Sequence, residues 1–116
     1  MIKGLGVDIV EIKRLEKTVK RWGDIFLNRI FTKKELAYSK DKAKPMEHLA
    51  ARFAAKEAVF KAFGTNPKLN FKDIEISNDR YGKPYCIIKN KQSSILLSIS
   101  HTENYAVASA IIQEKA

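Results

Sequence analysis

Hydrophobic residues recur along the chain first at every second position, then at every third or fourth, then at every second again. From Ile2 to Val10, Leu5, Val7 and Ile9 point one way and Gly4, Gly6 and Asp8 the other. That period predicts a strand. Two glycines beside an aspartate leave space on their side, where a ligand or another backbone can approach. A helix follows from about Glu11 to Trp22, with Ile12, Leu15, Val19 and Trp22 as its apolar stripe. Gly23 breaks it, and a second short helical stretch runs through Ile25, Phe26 and Ile30. Thr32, with Glu35 three residues on, predicts a capping box and a short helix through Leu36 to Tyr38. After a polar loop, Lys40 to Pro45, a long helix runs from about Pro45 to Phe63 and stops at Gly64. The remainder reads as strands: Phe71 to Ser77, Tyr85 to Lys89, Ser94 to His101 and Tyr105 to Ile112. Asn78 to Lys83 is a turn with Pro84 at its exit, and Thr102-Glu103-Asn104 joins the last two strands. This order predicts an α+β fold, an antiparallel sheet packed on a long central helix. No repeat or linker divides the chain, so residues 1–116 form a single domain.

The long helix is the unusual element. Leu49, Phe53, Phe60 and Phe63 form one apolar stripe, and Ala51, Ala55, Ala58 and Ala62 form a second on the far side. A helix with two packed faces is buried, and buried charges are rare unless paired or used. Glu57 and Lys61 share one face, Arg52 and Lys56 another. Such charges can hold a metal and phosphates, or can form ion pairs on a solvated edge.

Composition narrows the partners. Apolar residues make up 45% and charged residues 30% of the 116, as in soluble globular domains. No apolar run is long enough to span a membrane. Met1 leads into a strand-like segment without a signal peptide, and Cys86 is the only cysteine. The expected location is the cytoplasm, with no disulfide framework and no cysteine metal site. A net charge of +9 favours acidic partners: nucleic acid, anionic lipid, phosphorylated ligands or an acidic protein. Lys13, Arg14, Lys17, Lys20 and Arg21 crowd one helix face, either as a solvated surface or as a docking face. The aromatics Trp22, Phe26, Phe53, Phe60 and Phe63 lie on apolar stripes. They are not interleaved with basic residues as a single-strand binder requires. A non-catalytic basic nucleic-acid-binding domain is therefore the alternative reading.

Asp8 and Glu57 are the two carboxylates in unusual settings. Mg²⁺ is commonly held by one or two carboxylates, several waters and substrate phosphates. Asp8 with Glu11 also fits a helix N-cap. His101 ends a strand, where a local hydrogen-bonding role is the ordinary one, and His48 opens the long helix, facing solvent. No catalytic triad or glycine-rich phosphate loop is visible.

Several blocks, in this order, resemble the holo-[acyl-carrier-protein] synthases, the small 4′-phosphopantetheinyl transferases of bacterial fatty-acid synthesis. They are Gly6-Val-Asp8-Ile-Val-Glu-Ile-Lys-Arg14, Phe31-Thr-Lys-Lys-Glu35-Leu36 and Arg52-Phe-Ala-Ala-Lys56-Glu57-Ala-Val-Phe-Lys61-Ala, followed by Asp73-Ile-Glu-Ile, Gly82-Lys-Pro84 and Ser98-Ile-Ser100-His101-Thr. The resemblance favours a site role for Asp8 over the cap. It implies transfer of 4′-phosphopantetheine from coenzyme A to a serine of apo acyl carrier protein, releasing adenosine 3′,5′-bisphosphate. It implies Mg²⁺ on Asp8 and Glu57, with Lys61 near the pyrophosphate as a catalytic group. Arg52, Lys56 and His101 would meet the coenzyme's phosphates, and Pro84 would line the nucleotide site. An acidic carrier protein would dock on Arg14, Lys17 and Arg21, with Phe26 and Arg29 in the next helix. The family is typically a homotrimer with sites between subunits, the Ser98 to His101 strand facing a neighbour's Asp8 and Glu57. Three features depart from relatives. Asp24 and Ile25 interrupt the basic run, the Gly64 to Asn70 loop is short and glycine-poor, and Val10 stands where larger transferases carry a third acidic ligand.

Overall fold

The structure is a computed structural model that describes residues 1–64, 68–89 and 94–114. Strand β1 (Ile2–Glu11) leads into helices α1 (Ile12–Trp22), α2 (Asp24–Ile30), α3 (Lys33–Lys40) and α4 (Pro45–Phe63). A 3₁₀ turn (Phe71–Asp73) then precedes β2 (Ile74–Asn78), β3 (Pro84–Ile88), β4 (Ser94–His101) and β5 (Tyr105–Gln113). The strands form two antiparallel sheets rather than the single one expected, in the orders β1-β5-β4 and β2-β3.

α4 is the axis of the molecule, and its alanines explain why. Ala51, Ala55, Ala58 and Ala62 are buried, as are Ala106, Ala108 and Ala110 on the facing strand β5. Small residues on both sides let helix and sheet approach closely. At β1 the approach is closest. A Cβ added to Gly6 would lie 1.9 Å from the Ala58 carbonyl oxygen, and one added to Gly4 1.9 Å from that of Ala62. The space expected beside these glycines is therefore filled by the α4 backbone. Asp8 shares their side of the strand and is carried to the same helix. The other stripe of α4 packs Phe53 against Phe26 and Phe71, and Phe60 edge-on to Phe71 at 4.8 Å between centroids.

Local signals act where they were read. Thr32 caps α3, its hydroxyl accepting from the Glu35 N–H while the Glu35 carboxylate accepts from the Thr32 N–H. Pro45 opens α4, and Gly64, at φ 81°, closes it. Asp8 is no cap: it lies inside β1, paired with Ala108, and Glu11 precedes α1 without a capping side-chain bond. The strand expected from Phe71 begins only at Ile74. The Asp73 carboxylate accepts from the Asn70 N–H at 2.9 Å and the Asp73 N–H donates to the Asn70 carbonyl at 3.0 Å, which curls Phe71–Asp73 into the 3₁₀ turn first. Of the loop 64–70, residues 65–67 lie outside the described residues.

Candidate active site

Where β1 crosses α4, three charged side chains meet. The Lys61 ammonium donates to Asp8 Oδ1 at 3.0 Å and to the Val7 carbonyl at 3.1 Å. Lys61, expected to share a face with Glu57, thus makes its ion pair across to β1. Glu57 lies close enough for charge to be felt: burial first, then the Asp8 carboxylate, pushes its carboxyl above the usual carboxylate range, and Lys61 opposes this. Asp8, Glu57 and Arg14 line a cavity of about 530 Å³ between β1, α1 and α4. On the other side of Glu57 lies a second cavity of about 910 Å³, walled by α2, Phe60 and the 3₁₀ turn. Glu57 is the residue common to both.

The remaining predicted ligands lie elsewhere. Arg52 projects from the opposite side of α4, almost fully buried, with its guanidinium 4.0 Å above the Tyr38 ring. One nitrogen donates to Asn78 Oδ1 at 2.8 Å, while Nε is buried without a hydrogen-bond partner among the described residues. Asn78 pairs with Pro84 in the β2–β3 ladder, so Pro84 stands beside Arg52's anchor. His101 ends β4, its Nδ1 3.3 Å from Glu47 Oε1 and its ring 6.0 Å from that of His48. His48 is not simply solvated, as expected, but lies half-buried between Tyr38 and His101. Burial lowers its pKa, and the positive charge of Arg52 and the neighbouring His101 and Lys42 lower it further, against the pull of Glu47. A buried guanidinium with an unfilled donor beside two imidazoles is chemistry that can bind an anion. Tyr38, His48 and Asn78 were missed from sequence. Nothing in their spacing links α3, α4 and β2.

Lys56 requires a correction. It was expected at the phosphates, but its side chain is wholly buried and its donors are spent internally. The ammonium pairs with Glu35 Oε1 at 2.6 Å and donates to the Ile30 and Phe71 carbonyls at 2.8 and 2.9 Å. No donor remains for a coenzyme phosphate.

The docking candidates follow the site's rim. Arg14, Lys17, Arg21 and Arg29 are exposed, and Phe26 is half-buried against Phe53. Phe26 and Arg29 line a groove of about 350 Å³ with Thr18, Trp22 and Ile25, and the Arg21 guanidinium lies over the Trp22 ring. The exposed Trp22 and Ile25 flank this basic surface. A third exposed surface is apolar: the face of β1-β5-β4 turned away from α4. Leu5, Val7 and Ile9 are 68%, 56% and 63% exposed, and Leu96 lies in the same ladder row as Leu5.

The donor set fits a hard divalent cation. Among the described residues no group of three or more His, Cys, Asp or Glu could hold a metal. Two carboxylates suffice for Mg²⁺, which keeps its waters and takes substrate phosphates. Burial and, after it, the Asp8 carboxylate raise Glu57's pKa, and such an ion would offset both.

Comparison with known proteins points the same way. The sequence model of the 4′-phosphopantetheinyl transferase superfamily matches residues 4–110. The chain is 47% identical to the holo-[acyl-carrier-protein] synthase of Thermodesulfovibrio yellowstonii over 97% of its length and 99% of that protein's. Among solved structures, it resembles the holo-[acyl-carrier-protein] synthase of Neisseria meningitidis, with a TM-score of 0.90 and 36% identity over 98% of this chain and 100% of that one. The synthase of Bacillus anthracis in complex with CoA (3′,5′-ADP) gives a TM-score of 0.87 and 39% identity over 99% of each chain.

Proposed function

The chain belongs to the 4′-phosphopantetheinyl transferase superfamily, and from that premise we propose that it moves 4′-phosphopantetheine from coenzyme A to a serine of an acyl carrier protein. The serine oxygen bonds to the phosphorus that bears pantetheine, the bond to the bridging pyrophosphate oxygen breaks, and adenosine 3′,5′-bisphosphate leaves. The observation that carries this reading is the meeting of Asp8, Glu57 and Lys61 where β1 crosses α4, between two cavities.

Phosphoryl transfer depends mainly on positioning and on neutralising charge. Asp8 and Glu57 are the residues that would hold Mg²⁺, which, when bound, spreads the pyrophosphate charge. Lys61, half-exposed and already oriented by Asp8 and the Val7 carbonyl, neutralises the leaving oxygen or gives it a proton. Glu57, at the junction of the cavities, is placed to take the proton that the serine loses. Arg52, His48 and His101 bind phosphate on the coenzyme, with Pro84 beside them. The basic face of Arg14, Lys17, Arg21 and Arg29, with Phe26, receives an acidic carrier by charge complementarity.

In one chain, the Arg52 cluster and the Asp8 cluster project from opposite sides of α4. A homotrimer built through the apolar face of β1-β5-β4 resolves this by letting one subunit's anion cluster serve its neighbour's Asp8 and Glu57. No described helix is long and apolar enough to cross a membrane, and we place the reaction in the cytoplasm. The test is release of adenosine 3′,5′-bisphosphate from coenzyme A. Release that requires both an apo carrier and Mg²⁺ is expected; release without a carrier, or none with several carriers, overturns the reading.

A further inference from the structure

Lys56 precedes Glu57 on α4 but is rotated about 100° from it, into the protein. Its ammonium reaches the Ile30 carbonyl, the last of α2, and the Phe71 carbonyl, the first of the 3₁₀ turn. Its counter-charge, Glu35, is held by the Thr32 N–H at 2.9 Å and by the Ile76 N–H of β2 at 2.7 Å. One buried pair therefore ties α2, α3, the 3₁₀ turn and β2 to α4 at a single point. Both α2 and the 3₁₀ turn are walls of the 910 Å³ cavity beside Glu57, through Arg29 and Phe71 respectively. The ion pair is not needed to fill space; apolar residues of similar volume commonly serve a core as well or better. What they cannot supply is a donor to each wall's terminal carbonyl.

We propose that Lys56 is a positioning residue: with Glu35 as its counter-charge, it clamps α2 and the 3₁₀ turn at the separation that forms the cavity beside Glu57. This rests on the transferase reading for what the cavity serves, the approach of the carrier's serine and the pantetheine arm to Glu57. The phosphate-binding cluster around Arg52 and His101 makes no direct bond to Lys56; its Tyr38 and Asn78 stand on α3 and β2, which the Glu35 carboxylate holds through the Thr32 and Ile76 N–H groups.

The test compares Lys56→Met with the double variant Glu35→Gln/Lys56→Met. The single variant strands a buried carboxylate and is expected to melt lower. The double variant removes that charge and regains thermal stability, but still lacks the donors to Ile30 and Phe71. Its turnover at saturating coenzyme A should stay down by about tenfold or more, while coenzyme A affinity, measured directly by calorimetry, stays within roughly twofold. Turnover that recovers together with stability would overturn the proposal, as would loss of coenzyme A affinity with turnover intact, the mark of a phosphate ligand. Amide exchange reads the clamp without the reaction. In the double variant the Phe31 and Asp73 N–H groups, bonded to Leu27 and Asn70 carbonyls, should exchange faster while the β1–β5 ladder is unchanged. If the unsubstituted chain transfers nothing, the reaction falls and this exchange pattern alone decides the clamp; unchanged exchange at both amides refutes it.

Discussion

Glu57 is where the electrostatics of the site can be read without substrate. Its folded pKa is raised, by burial first and by Asp8 second. Below the ordinary carboxylate range, folded and unfolded chains are both protonated there, and stability is at its full value. As pH rises through the raised pKa, ionisation is harder in the folded state, so stability is lost. Glu57→Gln should therefore melt higher than the parent at pH 7 without metal, by a few degrees at most, on the order of 1–3 °C, and the gain should vanish below about pH 4. Mg²⁺ with coenzyme A should stabilise the parent more than Glu57→Gln; thermal shift assays with and without the pair check both. Lys61 is expected to act on the reaction more than on binding. Lys61→Met should lower kcat by roughly 10²-fold or more with coenzyme A affinity nearly unchanged, and steady-state kinetics beside calorimetry separates the two. At this scale the sequence was half legible. Asp8, Glu57 and Lys61 stand out as charges beside glycines or on a buried helix. The destination of Lys56 did not, because helical spacing places it next to the site in sequence while its rotation, about 100° from Glu57, sends it into the core. Cys86, half-buried in β3, has its thiol pushed up to about 12 mainly by desolvation.

Between elements, the decisive contact is β1 on α4. Gly6 lets the strand touch the helix backbone, and two residues later the strand delivers Asp8. In Gly6→Ala the new methyl would meet the Ala58 carbonyl, which a helix backbone cannot move aside cheaply. The expected cost is roughly 2 kcal/mol or more, with transfer falling further than stability alone explains because Asp8 moves away from Glu57. Chemical denaturation together with the transfer assay checks this. Every helix was readable from stripes, breakers and the Thr32 cap, since those signals are local. The split into two sheets was not, because which strand pairs with which is a long-range choice. The glycine side of β1 was misread as open for the same reason: periodicity reports which residues share a side, not what packs against it.

Across the whole molecule, charge and exposed apolar surface divide the labour. If an acidic carrier docks on the basic α1–α2 rim, as proposed, Arg14→Glu should raise the apparent KM for the carrier by about tenfold while leaving that for coenzyme A within roughly twofold. In the proposed trimer, the uncovered face of β1-β5-β4 carries the assembly. Leu5→Glu, on that face and outside the cavities beside Glu57, should leave a folded monomer that transfers nothing. Analytical ultracentrifugation gives its mass, and circular dichroism its fold. An active monomer would remove the shared-site reading while leaving the Asp8–Glu57–Lys61 centre in place. The central claim, that this centre moves phosphopantetheine onto a carrier with a divalent cation, is tested most directly by the intact mass of an apo acyl carrier protein after incubation with the chain, coenzyme A and Mg²⁺. The account predicts a gain of one phosphopantetheine, abolished by EDTA and by Asp8→Ala. A carrier that gains no mass, or gains it equally with EDTA or with Asp8→Ala, would contradict it.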